Sequence, residues 1–288
     1  MTARVVFWDS TGAVRPPWRL LVYCAASIAS LIALNGVVVP LVSWGGLALG
    51  HVRVILFPWM LLASAVMGHA ITFRLVDRRG WRSVQLDRSA LRIRALLAAA
   101  ALGIAAVAFA TVPLLAIGWL RAVPGPAGSS IGLGLKVLAF LAPAALWEEM
   151  VFRGYGFSML AEWWGTPAAL GVTSLAFGLV HLQNAGATIG SVSVVVIAGL
   201  FLGTVLVILR SLWAAFAAHL AWNWALAGAL HSAVSGIPFA TPGYRVIDTG
   251  PDWATGGVWG PEGGVPAALS LLAITFYLYT RRPRREES

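Results

Sequence analysis

The chain has 288 residues, 59% of them apolar and only 11% charged, with a mean hydropathy of +0.82. A water-soluble fold of this length could not cover its surface with so few charged side chains, and a lone cysteine, Cys24, excludes a disulfide scaffold. The formal charge of +9 comes almost wholly from arginines clustered beside apolar runs. There they act as topology signals and contacts for membrane lipids, which excludes a nucleic-acid partner.

Apolar runs of about 17–25 residues, the length a helix needs to cross roughly 30 Å of hydrocarbon, recur along the chain. In order they are Trp18 to Trp44, Val52 to Phe73, Ala95 to Leu120, Ile131 to about Met159, Pro167 to Leu182, Ile189 to Leu209, Leu212 to Leu230 and Val265 to Thr280. They predict an all-α polytopic membrane helix bundle of about eight transmembrane helices, with residues 1–288 as a single membrane domain. The first run is too long for a cleavable leader, so none is expected. The C-terminus ends Arg-Glu-Glu-Ser, without the cysteine of a prenylation box.

Basic residues in short loops stay in the cytoplasm. Arg4, Arg15 and Arg19 flank the first run, Arg74, Arg78, Arg79, Arg82, Arg88, Arg92 and Arg94 follow the second, and Arg281, Arg282, Arg284 and Arg285 follow the last. Eight crossings put all three clusters, and both termini, on the cytoplasmic side of a bacterial-type plasma membrane. The Gly- and Pro-rich segment 231–264, with Asp248, Asp252 and Glu262, then forms an irregular outer loop or cap.

Ionisable residues inside a span cost several kcal/mol unless paired or bathed by a wet cavity, so each is a candidate for function. Glu148, Glu149 and Arg153 lie in the fourth run, Phe177 and His181 in the fifth, His219 and Asn223 in the seventh. Glu149 and Arg153 are four apart and can pair, whereas Glu148 points about 100° away around the helix. Glu148 is therefore expected as a general base, and Glu149 as the structural partner of Arg153. His219 and Asn223 share one helix face. Phe177 and His181 repeat that spacing, the ring fixing the imidazole and drying one side of it. A carboxylate, two imidazoles and an amide donor suit activation of water and stabilisation of an oxyanion.

Glu-Glu-x-x-x-Arg, Phe-x-x-x-His and His-x-x-x-Asn, in this order on hydrophobic helices from about Leu146 to Trp224, resemble the CPBP family of type II CAAX prenyl endopeptidases and bacteriocin-processing or self-immunity membrane proteins. The resemblance implies an intramembrane endopeptidase with its catalytic core at 131–230 and a peptide or protein substrate, prenylated in the best-known case. It implies that Glu148 and His181 activate water while His219 and Asn223 stabilise the transition state. Metal-independent glutamate chemistry and a zinc ion held by Glu148, His181 and His219 both stay open, since His-Glu-x-x-His is absent.

Simpler roles stand beside these. The polar residues could only join helices, as in a non-catalytic immunity or partner-binding protein. A proton-relaying transporter is disfavoured by the lack of repeated halves. His69 reads as packing, and His51 and His231 as interfacial rings at helix ends. Many of the 14 tryptophans read as an interfacial belt. Gly199 and Gly203 predict close helix packing within the monomer. Ser235, in Ala233-Val-Ser-Gly236, lies beyond its helix and lacks the leading glycine of a rhomboid-type serine motif, so it is not expected to be a nucleophile.

Overall fold

Backbone groups surrounded by apolar side chains and lipid must find partners within the chain, and this chain does so as helix: the structure, a computed structural model, is 77% helical. It describes residues 7–8, 12–45 and 49–281, with the backbone alone for 49–54. Arg4, Arg282, Arg284, Arg285 and the ring of His51 lie outside the described residues.

The principal helices are α1 (Pro16–Trp44), α2 (Leu49–Thr72), α3 (Ile93–Ala116), α4 (Ser130–Glu149), α5 (Gly156–Trp164), α6 (Thr166–Val180), α7 (Ile189–Leu209), α8 (Leu212–Trp224) and α9 (Val265–Thr280). Single π turns extend α2, α4 and α8, over Phe73–Asp77, Met150–Tyr155 and Ala225–Ala229. Among the described residues, five stretches are long and apolar enough to cross a membrane: Pro16–Trp44, Ile55–Asp77, Ile93–Ala116, Ser130–Trp164 and Ile189–Leu209. The remaining apolar helices are shorter, at 15, 13 and 16 residues for α6, α8 and α9.

One feature departs from the all-α expectation. Strands β1 (Leu120–Pro124) and β2 (Tyr244–Asp248) pair antiparallel, Leu120 opposite Asp248 and Pro124 opposite Tyr244. Outside the helices the backbone still needs partners, and two loop segments supply each other's. Local chemistry sets several helix starts. Pro16 and Pro17 open α1, Thr188 and Ser191 form a capping box on α7, and the Ser211 hydroxyl accepts from Ala214 N–H at the start of α8.

The chain divides into two compact units. The first comprises Met1–Ser89 with Ala142–Ala169, the second Ala90–Leu141 with Leu170–Ser288.

In the first unit α1 packs along α2, and a buried polar network fastens the chain around the π turns. The Asp77 carboxylate, closed to solvent, accepts from Arg19 Nε at 2.5 Å and from the Tyr155 hydroxyl at 2.7 Å. Glu162 accepts from Arg19 at 3.1 Å and from Arg79 at 2.7 Å. His69 is fully buried with Tyr23, Phe73 and Trp81 around its ring, so its role is packing. In the arginine-rich loop the Ser89 hydroxyl, 2.5 Å from Asp87, holds that carboxyl below the usual carboxylate range.

In the second unit the glycines permit close approach. A Cβ at Gly199 would stand 2.8 Å from Ser174 Cα, so α7 lies directly against α6 within the monomer. A Cβ at Gly103 would strike the Ala218 carbonyl, which brings α3 against α8 one residue before His219. His231 is no interfacial ring: it is buried, its Nδ1 donates to the Tyr244 carbonyl at 2.7 Å, and it stacks on that tyrosine at 4.1 Å. The pairing of β1 with β2 brings Tyr244 within its reach, and no local pattern announces that.

Replacing Asp77 by Asn leaves Arg19 without its closest counter-charge in a buried setting. The expected loss is about 3 kcal/mol of stability, read as a lowered unfolding midpoint in detergent. Asp252→Asn, at an exposed site, is the control, with an expected change within about 0.5 kcal/mol.

Candidate active site

Several of the motif residues lie at or beside a break in helical regularity. Glu148 and Glu149 end α4, where the π turn begins, and Gly154 leaves helical geometry altogether at φ −81°, ψ −110°. His181 opens a 3-10 turn directly after α6. His219 and Asn223 lie on α8, which passes into a π turn after Trp224. Such breaks free backbone groups and are tolerated at membrane depth only where protein or a wet cavity surrounds them, which is why they gather at functional positions.

In the first unit Glu149 Oε1 accepts from Arg153 Nη1 at 3.1 Å, and both side chains are closed to solvent. The i,i+4 spacing on one helical ridge makes this pair local. Glu148 is half-buried, and its charge also acts on Arg153. Arg153 thus lies in the field of both carboxylates, one locked against it and one more accessible.

In the second unit Phe177 joins two motifs. Its ring is 3% exposed and lies edge-on to His181 at 4.8 Å and to His219 at 6.0 Å. The Phe177 carbonyl accepts from His181 Nδ1 at 2.7 Å. Since a carbonyl can only accept, Nδ1 is the donor in this bond. His181 is half-buried, His219 is 6% exposed, and Asn223 is half-buried one turn beyond His219. The two imidazoles therefore share one aromatic wall, with an amide donor on the helix that carries the second. This unit offers two of the ligands a tetrahedral zinc site needs, and among the described residues no group of three or more His, Cys, Asp and Glu side chains is arranged to hold a metal ion.

Sequence reasoning missed several residues that secure these positions. Asp77 fastens Tyr155, two residues after Arg153. Glu262, Ser235 and Asn184 form hydrogen bonds around Trp222, the neighbour of Asn223. The only trace of Glu262 in the sequence is a lone acidic residue within a Gly-rich stretch.

Arg153→Met takes the Arg153 counter-charge away from the buried Glu149 carboxyl. The expected cost is about 3–5 kcal/mol, read by thermal unfolding, with much of it regained in the double variant Glu149→Leu/Arg153→Met, which removes both charges.

No curated protein and no solved structure gives a significant match. Residues 130–225, about a third of the chain, match the family model described as Type II CAAX prenyl endopeptidase Rce1-like. That family implies protease activity on a peptide or protein substrate, and the apolar helices fit an integral membrane protein. The matched stretch spans the ordered motifs from Glu148 to Asn223 and supports their likeness to the CPBP/CAAX protease family.

Proposed function

We propose that this protein is an intramembrane endopeptidase of the CAAX-protease type, in which Glu148 and His181 activate the water that hydrolyses a peptide bond. One observation carries the reading: the family-matched segment holds Glu148, His181, His219 and Asn223 in order, and Phe177 lies edge-on to both imidazoles. Glu148 takes a proton as the water oxygen attacks the carbonyl carbon, while the His181 Nε2 lone pair orients the water. An N–H of His219 and the Asn223 amide donate to the oxyanion. Collapse of the adduct breaks the C–N bond, and the proton on Glu148 passes to the leaving amine. Glu149 holds Arg153, and Phe177 holds the two histidines.

Residues 1–288 form one membrane domain with eight crossings in this reading. The sidedness of loop contacts supports it. Within the first unit Arg19, Asp77, Arg79 and Glu162 meet, all on the side assigned to the cytoplasm. Within the second, Arg92 bonds the Leu209 carbonyl and Ser211 the Ala90 carbonyl on that side. β1 with β2, and Asn184 with Ser235, meet on the other. Both termini then face the cytoplasm of a bacterial-type plasma membrane, and the 231–264 segment lies outside.

The test is cleavage of a fluorogenic peptide library, farnesylated CAAX peptides included, by detergent-purified protein shown to be folded. Glu148→Ala is expected to lower turnover by on the order of 10²–10⁴-fold. A chelator arm separates the chemistries: activity lost and restored by zinc means a metalloenzyme, and unchanged activity means glutamate catalysis. If the wild type cuts nothing, or Glu148→Ala cuts equally well, the catalytic assignment fails and the immunity or partner-binding reading takes its place.

A further inference from the structure

Glu262 sits in Trp259-Gly-Pro-Glu262-Gly-Gly264, within the segment expected to be an irregular loop, yet it is only 7% exposed. Its carboxylate receives three donors. The Trp222 indole N–H reaches Oε2 at 2.8 Å, the Ser235 hydroxyl reaches Oε1 at 2.9 Å, and the Ser235 backbone N–H bonds the same oxygen. Donors of this number satisfy the oxygens of a carboxyl group away from water.

Ser235 continues the chain of bonds, for its carbonyl accepts from Asn184 Nδ2 at 3.0 Å. Asn184 closes the 3-10 turn that His181 opens, its N–H bonding the His181 carbonyl at 3.0 Å. Trp222 stands three residues after His219 and directly before Asn223. Ser235 also holds a left-handed backbone at φ 49°, a conformation costly to a residue with a side chain. Its N–H, hydroxyl and carbonyl are all engaged, which is what keeps it there.

We propose that Asn184, Ser235, Glu262 and Trp222 form a positioning bridge, with Glu262 its hub, that holds the His181 turn and helix α8 in mutual register. The four residues belong to one compact unit, as do both histidines. His181 lies where α6 has given way to a 3-10 turn, so the helix ladder alone does not fix its height relative to α8. A carboxylate gripping the tryptophan beside Asn223 and, through Ser235, the asparagine after His181 does fix it. The catalytic consequence rests on the endopeptidase reading, and the bridge itself does not. A misplacement of about 1 Å in a reacting group costs on the order of 10²-fold in rate, so Glu262 acts on kcat through the imidazoles without touching substrate.

The full-length protein, labelled with ¹⁵N at its histidines and held in lipid nanodiscs, provides the test. Glu262→Gln turns an acceptor oxygen into an NH₂ group facing donors. It is expected to shift the ring resonances of both His181 and His219 while those of His69 stay in place, and Asp252→Asn is expected to move none of them. In the cleavage assay Glu262→Gln is expected to lower kcat by on the order of 10- to 100-fold with KM within about twofold. If Glu262→Gln leaves either His181 or His219 unmoved, the bridge is overturned whatever the activity. If both resonances move while the wild type cleaves nothing, the bridge stands and the endopeptidase reading fails. Should Glu262→Gln not fold, Ser235→Ala, which removes only the hydroxyl donor, is read by the same criteria.

Discussion

A polar group away from water must be satisfied by the protein itself, and this single constraint organises the molecule. An uncompensated charge at the centre of a membrane helix costs about 2.5–3.5 kcal/mol at the least, so a buried carboxylate persists only with donors around it. Three such carboxylates stand among the described residues. Glu149 holds Arg153 within a helical turn, Asp77 holds Arg19 and Tyr155, and Glu262 holds Trp222 and Ser235. Each lies within a few residues, along the chain or through one bond, of a motif residue. Remove a partner and the remaining charge must find water or rearrange the helix that bears it.

The same constraint accounts for the irregular backbone. An uninterrupted helix satisfies its own ladder and presents side chains at fixed 100° steps, which leaves little freedom to aim a particular group. The π turns after Glu149 and Trp224, and the 3-10 turn at His181, give that freedom at the cost of carbonyls and N–H groups that need other partners. The bonds from Asn184 to His181 and Ser235 meet part of this need. Irregularity and polar fastening therefore occur together because each requires the other.

Packing between apolar helices supplies the frame. Lipid tails are as apolar as leucine, so helices associate through close approach rather than expulsion of water. Gly199 and Gly103 allow that approach, the first setting α7 on α6 and the second setting α3 on α8 beside His219. Phe177 lies edge-on to the imidazole of the turn after α6 and to that of α8.

The sequence by itself determined what depends on length and local period: the apolar runs, the arginine clusters beside them, and the i,i+4 partnerships of Glu149 with Arg153 and Phe177 with His181. These are legible because a helix has one geometry, so spacing along the chain becomes spacing in the fold. Only the tertiary structure decided the contact of Phe177 with His219, the partners of Asp77, the pairing of β1 with β2 that encloses His231, and the hub at Glu262. These join residues tens of positions apart, and helices apolar on every face carry no stripe to say which side meets lipid and which meets another helix. The choice among neighbours is made by glycine contacts and buried donors, which exist only once the helices are packed.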